Sequence, residues 1–384
     1  MKPLASAALK MPRSGIRVIL DMAAQLPGVI HLEIGQPDFP TPEHITAAAL
    51  QAAQQGFTKY TPNAGLLSLR EAIAEKVRRE NGLEASVENV VVTTGGMGGL
   101  YAAFTAVLEP GDEVLIPDPG YPNYTMLTQL CRAQAVYYPL DAATGFQPCL
   151  ETLSRLITPR TKALVVNSPS NPTGSVIPKE GMAALVALAR EHDLYLISDE
   201  CYEKIVFDAR HVSPGSLDKD GRVLSLFSFS KTYAMTGWRV GYAVVSPEIA
   251  AIFVKLQEAT VACTSSVSQK AAEAALQGPQ DCIEIMVNAY RRRRDRAIAI
   301  LQRHGLATYV PQGAFYLLVD ISGCGSGSEG FAQNLLAQEK VAVAPGRTFG
   351  PSGDRYIRVS LAAHEDELET GLERLCRYVS QTRG

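Results

Sequence analysis

The length and composition of the chain limit what it can be. With 384 residues it exceeds the size at which a single hydrophobic core usually stops growing, so we expect two domains. Apolar residues make up 46% and charged residues 20%, as in ordinary globular proteins, and 36 basic against 39 acidic residues leave a net charge of −3. That balance argues against nucleic acid or a membrane surface as a partner.

The spacing of cysteine and histidine adds two expectations. The seven cysteines are scattered, odd in number and without a CxxC pair, a pattern that favours reduced thiols in a cytoplasmic protein. The six histidines never show HxxxH or HExxH spacing, so the sequence predicts no metal site.

Two stretches resemble targeting or membrane segments, and neither is interpreted as one. Residues 1–20 contain Pro12, Arg13 and Arg17, which interrupt the apolar run that a signal peptide requires. Residues 90–108 are nineteen uncharged residues, long enough to span a bilayer. Two threonines and four glycines divide that stretch into a strand, a loop and a helix, so no membrane span is predicted.

Helix signals appear from residue 41 onward. Thr41, Pro42 and Glu43 supply a capping residue, a first-turn proline and an early acid, which predict a helix start. Ser68 and Glu71 have the spacing of a capping box ahead of the helical run AIAEKVRRE.

The next region, to residue 278, alternates apolar runs with helical stretches such as KEGMAALVALAREH. The apolar runs, in chain order, are NVVVTT, DEVLIP, QAVYYPL, KALVVN, LYLIS, RVLSLFSF and RVGYAVV. Continuous apolar strands that alternate with helices predict an α/β fold, with a mostly parallel seven-stranded sheet between two layers of helices. We therefore assign residues 41–278 to a large domain.

The pattern changes after residue 278. DCIEIMVNAYRRRRDRAIAIL predicts one long helix with an apolar face, and the short strands GAFYLLVDI, KVAVAPG and YIRVSLA follow it. Residues 279–384 are predicted to form a smaller α+β domain, against which the N-terminal segment 1–40 packs. The run Arg291 to Arg294 is expected to make solvated or intra-protein ion pairs, because four successive residues point to different sides of a helix.

Four of the apolar runs in the large domain end in polar or flexible residues. NVVV leads into TTGGMGG, ALVV into NSPSNPTG, LYLIS into Asp199, and LSLFSF into Lys231. In an open α/β sheet, ligands bind beyond the carboxyl ends of the strands. These groups are therefore expected to meet in one crevice.

The chemistry of that crevice predicts a ligand. A partly desolvated lysine amine can lose its proton and attack a carbonyl, and a buried aspartate requires a cationic partner. Glycine-rich amides at a helix start, with serines and an arginine, are the parts of a phosphate cradle. Pyridoxal 5′-phosphate carries an aldehyde, a ring nitrogen that can be protonated and a phosphate, so it matches all three features.

On these residues the chain resembles the class I/II aminotransferases, the fold type I enzymes that depend on pyridoxal phosphate. The resemblance covers nearly the whole chain and rests on eight motifs in order. They are GQPDF at 35–39, KYTPNAG at 59–65, TTGGMGG at 93–99, PGYP at 119–122, NSPSNPTG at 167–174, SDECY at 198–202, SFSKTYAMTGWRVGY at 228–242 and YIRVSLA at 356–362. It implies an aspartate aminotransferase-like fold whose large domain binds the cofactor.

The resemblance also implies a role for individual residues. Lys231 would bind the cofactor covalently and shuttle a proton, and Asp199 would pair with the protonated ring nitrogen. The ring's other implied contacts are a stacking residue, Tyr121, and two hydrogen-bond donors to the phenolic oxygen, Asn171 and Tyr202. The implied phosphate ligands are Ser228, Ser230, Arg239, the amides of Gly96 and Met97, and Tyr60 of a neighbouring subunit. The implied ligands of the substrate α-carboxylate are Arg358, Asn171 and the backbone near Gly35.

These roles lead to a transaminase that moves an amino group between an L-amino acid and a 2-oxo acid by a ping-pong mechanism, in a homodimer with shared active sites. Two alternatives stay open at this point. A β-eliminating C–S lyase or a related synthase would use the same cofactor and the same lysine, and a regulatory protein could carry a degenerate copy of the fold. Some aspartate-preferring relatives have a lysine where this chain has Met97, which weakens an aspartate-specific interpretation. The roles of Arg13 and Arg17 near the pocket are left open.

Overall fold

The computed structural model describes residues 2–9, 11–306 and 309–383. Its strands, in chain order, are β1 (Ile30–His31), β2 (Val90–Thr93), β3 (Glu113–Asp118), β4 (Gln134–Pro139), β5 (Thr161–Asn167), β6 (Tyr195–Asp199), β7 (Val223–Ser228), β8 (Gly241–Val244), β9 (Tyr316–Asp320), β10 (Val341–Ala342), β11 (Ala344–Pro345) and β12 (Tyr356–Ser360).

The α-helices lie between and around these strands. In chain order they are α1 (Ser6–Leu9), α2 (Gly15–Ala23), α3 (Glu43–Gln54), α4 (Leu67–Lys76), α5 (Gly95–Val107), α6 (Asn123–Leu130), α7 (Leu150–Leu156), α8 (Lys179–Glu191), α9 (Phe229–Thr232), α10 (Pro247–Thr260), α11 (Ser266–Gln277), α12 (Asp281–Arg303), α13 (Ser328–Glu339) and α14 (Glu365–Thr382). No helix in the described ranges is long and apolar enough to cross a membrane.

All seven predicted strands of the large domain are confirmed and form one sheet. The strand order is β2-β8-β7-β6-β5-β3-β4, and β8 is antiparallel to both of its neighbours while the other pairs are parallel. The four strands with polar ends, β2, β5, β6 and β7, therefore run in the same direction. Their carboxyl ends lie at one edge of the sheet, as the sequence predicts.

Helices cover both faces of this sheet, and the side-chain alternation of β2 shows why. Val90 and Val92 pack in a buried cluster with residues of α3, α4 and α11. Val91 points to the opposite face and packs in a second cluster with residues of α5, α6 and α10. Both faces are apolar because neither meets solvent, which explains the continuous hydrophobic runs of these strands.

The smaller sheet has three antiparallel strands in the order β11-β12-β9, and helices α12, α13 and α14 contribute to the core beside it. The N-terminal segment joins this part of the molecule, because β1 pairs in parallel with β10. Arg293 of α12 reinforces the contact with two hydrogen bonds of 2.8 and 2.7 Å to the carboxylate of Asp38.

The prediction that the arginines of this helix make intra-protein ion pairs is confirmed, since Arg291 and Arg294 both pair with Asp208.

Both predicted helices are present, and α3 starts at Glu43 as expected, but the predicted capping roles of Thr41 and Ser68 are wrong. α4 begins at Leu67, and Ser68 donates a hydrogen bond of 2.9 Å to Glu273 on α11, so it forms no capping box. α3 begins at Glu43, and the Thr41 hydroxyl donates to the carbonyl of Ala234 at 2.7 Å. In both cases the hydroxyl donates a hydrogen bond to a residue distant in sequence and does not cap its own helix.

Candidate active site

Lys231 lies at the carboxyl end of the buried strand β7, within the short helix α9. Its Nζ donates a hydrogen bond of 2.6 Å to the carbonyl oxygen of Gly35. Burial lowers the pKa of Lys231 to about 8, and the positive charges of Arg358 and Arg239 act in the same direction. The position therefore supplies an amine that loses its proton near neutral pH, which a solvent-exposed lysine does not.

Asp199 ends the neighbouring strand β6 and is buried. Tyr124 Oη donates to its Oδ2 at 2.7 Å, and the backbone amide of Cys201 donates to its Oδ1 at 3.2 Å. Burial raises the pKa of this carboxyl, and the two donors only partly oppose that rise. Both donors are neutral, so the charged carboxylate would be stabilised by a cation supplied by a ligand.

The first turn of α5, which follows β2 after Thr94, is rich in glycine and lies opposite Arg239. Gly95 has φ +68°, and a Cβ added there would lie 2.7 Å from Arg239 Nη2. A Cβ on Gly96 would lie 2.8 Å from Cys201 Sγ and 3.9 Å from Ser228 Oγ. Since α5 begins at Gly95 and has no side-chain cap, its first amides are free to bind an anion.

The remaining predicted anion ligands flank this turn. Ser228 Oγ caps α9 by accepting a hydrogen bond of 3.1 Å from the amide of Ser230, and both serines are buried. Arg239 adopts a left-handed backbone conformation with φ 55°, and its Nη1 donates to the Thr236 carbonyl at 3.0 Å. Hydroxyls, free amides and a guanidinium thus converge on the cradle beside Lys231.

Arg358, on β12 of the smaller sheet, is buried and reaches the same crevice. Its Nη1 donates to Asn171 Oδ1 at 2.9 Å, and its Nη2 donates to the carbonyl of Glu33. The guanidinium carbon lies 4.2 Å from the ring centroid of Tyr316, while Nε has no hydrogen-bond partner in the described part of the chain. A buried guanidinium held by neutral groups is suited to binding a carboxylate.

The other predicted residues occupy three different settings. Tyr202 Oη lies 2.8 Å from Tyr316 Oη, inside the crevice. Tyr121 Oη lies 3.7 Å from the thioether sulfur of Met97 at the start of α5, and its ring packs edge-on against Tyr124 with centroids 5.6 Å apart. Tyr60 has 90% of its surface exposed, so a single chain does not bring it into the site.

Two tyrosines of the crevice were not predicted from the sequence. Tyr124 bonds Asp199, and Tyr316 stacks on Arg358 and lies so near Gly35 that a Cβ there would be 1.9 Å from its hydroxyl. A signal for Tyr124 existed, because it follows strand β3, whose carboxyl end lies at the same edge of the sheet. Tyr316 comes from the smaller domain, and only the packing of the two parts reveals it.

The arrangement fits the cofactor that the sequence predicts. It combines a buried amine of lowered pKa, a buried carboxylate without a cationic donor, and a glycine-lined anion cradle that side chains at Gly95 or Gly96 would obstruct. These features match the aldehyde, the ring nitrogen and the phosphate of pyridoxal phosphate, respectively.

Comparisons with known proteins show which family the chain belongs to. The family model of aminotransferase class I and II matches residues 27–377. An aspartate/prephenate aminotransferase of Thermus thermophilus is 40% identical over 99% of this chain and 97% of its own length. An aromatic-amino-acid aminotransferase of Thermococcus litoralis is 36% identical over 96% of each chain. A solved structure of the Thermus thermophilus aspartate aminotransferase with maleate superposes with a TM-score of 0.95, covering 98% of this chain and all of that one.

The match spans both domains and nearly all of each chain, at an identity that establishes common descent as well as a common fold. The lyase, the synthase and the regulatory protein are thereby set aside in favour of amino-group transfer. The chain belongs to the aminotransferase class I and II family and is a pyridoxal-phosphate-dependent transaminase.

Proposed function

We propose that the crevice between Lys231, Asp199 and Arg358 is where this transaminase exchanges the amino group of an L-amino acid for the oxygen of a 2-oxo acid. The observation that carries the proposal is the buried Lys231 amine, 2.6 Å from the Gly35 carbonyl, with its pKa lowered to about 8. When bound, pyridoxal phosphate supplies an electrophilic carbon and a sink for the electrons released at the substrate Cα.

The residues around the cofactor have separate tasks in this proposal. Lys231 would hold the cofactor and, when its amine is free, would move a proton to and from the substrate Cα. Asp199 would keep the ring nitrogen protonated, with Tyr124 fixing the orientation of its carboxylate. The phosphate would be held by Gly96, Met97, Ser228, Ser230 and Arg239. Tyr121 would pack against the ring, and Tyr202 would donate to the phenolic oxygen.

Arg358 and Asn171 orient the substrate. Two parallel hydrogen bonds from the guanidinium to the α-carboxylate would fix the Cα next to Lys231, helped by the backbone near Gly35. Asn171 Oδ1 already accepts from Arg358, which leaves Asn171 Nδ2 to donate to the ring oxygen or to the substrate. By analogy with the family, 2-oxoglutarate or pyruvate is the expected amino acceptor.

We further propose a cytoplasmic homodimer. The exposed Tyr60 is the supporting observation, because a partner subunit would bring its hydroxyl to the phosphate across the interface. Leu50 and Leu67 are also strongly exposed. Apolar residues that a partner subunit covers are exposed in this way when one chain is considered without its partner. Sedimentation equilibrium should give twice the chain mass, and a stable mass of one chain would exclude shared sites.

The domain division proposed for this dimer is 1–40, 41–278 and 279–384. The pairing of β1 with β10 supports the assignment of the N-terminal segment to the smaller domain. If limited proteolysis cuts the chain near residue 40 and the N-terminal fragment then separates from the smaller domain, the assignment of that segment is contradicted.

A two-step absorbance experiment tests the function. An amino acid alone should convert the spectrum of the holoenzyme to that of the aminated cofactor, and a 2-oxo acid should restore the original spectrum. The reason is that the donor half-reaction proceeds without an acceptor, and the acceptor half-reaction proceeds without a donor. A panel of acidic, aromatic and aliphatic amino acids, each at the same concentration, identifies the preferred donor. Ammonia released in proportion to the amino acid consumed would point to elimination and contradict the proposal.

The lowered pKa of Lys231 gives a prediction about labelling. In apoprotein mixed with pyridoxal phosphate and borohydride, we expect the pyridoxyl group to be fixed on Lys231, at a rate that rises with pH and is half-maximal near pH 8. The sign follows because only the unprotonated amine attacks, and its fraction grows as pH passes the pKa. Peptide mapping by mass spectrometry gives the site, and exposed Lys255 in the same sample serves as the control. A rate still climbing steeply above pH 10 would be the behaviour of an ordinary lysine and would contradict the assignment.

A further inference from the structure

The loop that joins β11 to β12, residues 346–355, is attached to the large domain by two contacts. The carboxylate of Asp118, at the end of β3, accepts hydrogen bonds from the Ser352 amide at 3.1 Å and from the Ser352 hydroxyl at 2.8 Å. The amide of Gly120 donates to the carbonyl of Phe349 at 2.7 Å. The loop therefore connects the smaller sheet to the edge of the large sheet at which the crevice lies.

The surroundings of Asp118 make this carboxylate depend on the loop. Asp118 is buried, and burial raises the pKa of its carboxyl, while the hydrogen bonds from Ser352 and the charge of Arg347 act in the opposite direction. The backbone of the loop also approaches closely, because a Cβ added at Gly350, where φ is +131°, would collide with Asp118 Oδ1. A buried carboxylate that loses its donors is costly, so the contact favours a loop that stays docked.

The same loop carries Phe349, whose ring packs against Arg358. Phe349 is 2% exposed, and its ring centroid lies 4.8 Å from the guanidinium carbon of Arg358. The ring centroid of Tyr316 lies 4.2 Å from that carbon, so two aromatic rings are within cation–π distance of one guanidinium. A long arginine side chain has many rotamers, and rings packed against it limit the orientations that it adopts.

From these contacts we propose that Asp118 and Ser352 are positioning residues for amino-acid binding. Their contact keeps residues 346–355 docked on the large domain, which keeps Phe349 packed on Arg358 and the guanidinium in its orientation. The inference rests on the proposed role of Arg358 as the ligand of the substrate α-carboxylate. Since every amino acid carries that carboxylate and neither positioning residue moves a proton, loss of the contact weakens binding of all donors and leaves the chemical step unchanged.

The donor half-reaction of the holoenzyme tests the inference. Stopped-flow absorbance with L-aspartate, L-phenylalanine and L-alanine over a range of concentrations gives an apparent Kd and a limiting rate for each donor that reacts. Ser352→Ala, at an exposed position, should raise the apparent Kd by about threefold to tenfold, the effect of one lost hydrogen bond. Asp118→Ala removes the acceptor of every one of these hydrogen bonds and should raise it at least as much. The limiting rate and the affinity for pyridoxal phosphate should not change.

Two further variants are the controls. The amide and the hydroxyl of Ser322 donate to Asp320 at 2.8 and 2.5 Å, which repeats the contact of Ser352 with Asp118 inside the smaller domain. Ser322→Ala should therefore keep the wild-type Kd. Ser352→Thr retains the hydroxyl at the exposed position and should keep it too.

A double-mutant cycle with Arg358→Lys shows whether the contact acts through the guanidinium. The ratio of limiting rate to apparent Kd is compared, because it can be measured even when binding is weak. In the Arg358→Lys background, Ser352→Ala should lower this ratio by less than about twofold, since the group that it positions is gone.

The outcomes separate this inference from the proposed function. Equal effects of Ser352→Ala in both backgrounds, or a wild-type Kd in Ser352→Ala, would overturn the inference and leave the role of Arg358 intact. A wild-type ratio in Arg358→Lys itself would contradict the proposed carboxylate site and overturn the inference with it. Absence of reaction with all three donors in the wild-type holoenzyme would do the same.

Discussion

Replacing Lys231 with alanine is expected to slow the half-reaction of the amino donor by at least about 10³-fold, because one substitution removes both the covalent anchor and the group that moves the proton. No other lysine is placed to substitute for it: in the described chain, Lys231 is the lysine that donates to Gly35 and lies in the crevice with Arg358 and Arg239. Stopped-flow absorbance of the reconstituted variant, mixed with a saturating amino acid, measures the effect.

Two controls separate this chemical role from a structural one. Lys255→Ala, at an exposed helical position, should retain the wild-type rate. Added methylamine should partly restore the Lys231→Ala reaction, since a small free amine can move the proton from the space that the side chain leaves. A variant that reacts within tenfold of the wild-type rate would show that another group carries the proton transfer.

Replacing Asp199 with asparagine is expected to lower kcat by about 10²- to 10³-fold, the cost typical of losing one preorganised electrostatic contact. The amide keeps the size and the hydrogen bond from Tyr124 but cannot hold a proton on the ring nitrogen. Steady-state kinetics with saturating donor and acceptor gives kcat, and a pH titration of the cofactor absorbance reports the ring directly.

Thermal stability provides the matching control for Asp199→Asn. Burial raises the pKa of this carboxyl in the folded chain, so ionisation at neutral pH opposes folding of the apoprotein. The apoprotein variant should therefore melt at or above the wild-type temperature at pH 7, whereas the gain in Tm on adding pyridoxal phosphate should shrink. An unchanged kcat together with an unchanged cofactor titration would remove Asp199 from the mechanism.

The local features of the fold were predictable because they depend on neighbouring residues. The seven strands of the large sheet correspond to seven apolar runs, since strands buried on both faces carry apolar side chains at successive positions. The long helix of the smaller domain, Asp281–Arg303, shows the expected periodicity, with Met286, Tyr290, Ala297 and Leu301 buried. Ser68 and Thr41 were misassigned because their hydroxyls find partners about 200 residues away, at Glu273 and Ala234.

The candidate site was predictable in its residue types and only partly in its contacts. Lys231 and Asp199 follow strands whose direction can be inferred, so their meeting at one edge of the sheet follows from topology. Tyr316 could not be inferred in this way, because it belongs to the smaller domain and reaches Tyr202 through the packing of the two parts. The contact between His211 and Glu200, both in the segment after β6, likewise has no signal in the sequence.

The sequence alone determined the order of the motifs and the alternation of strands and helices. It also determined that an amine, a carboxylate and glycine amides follow parallel strands. Only the tertiary structure decided that the Lys231 amine lies 2.6 Å from Gly35, which is 196 positions away, and that Arg358 bonds Asn171 across 187 positions. The reason is physical: apolar periodicity acts within a few residues, whereas the burial that lowers the pKa of Lys231 exists only after distant segments have packed around it.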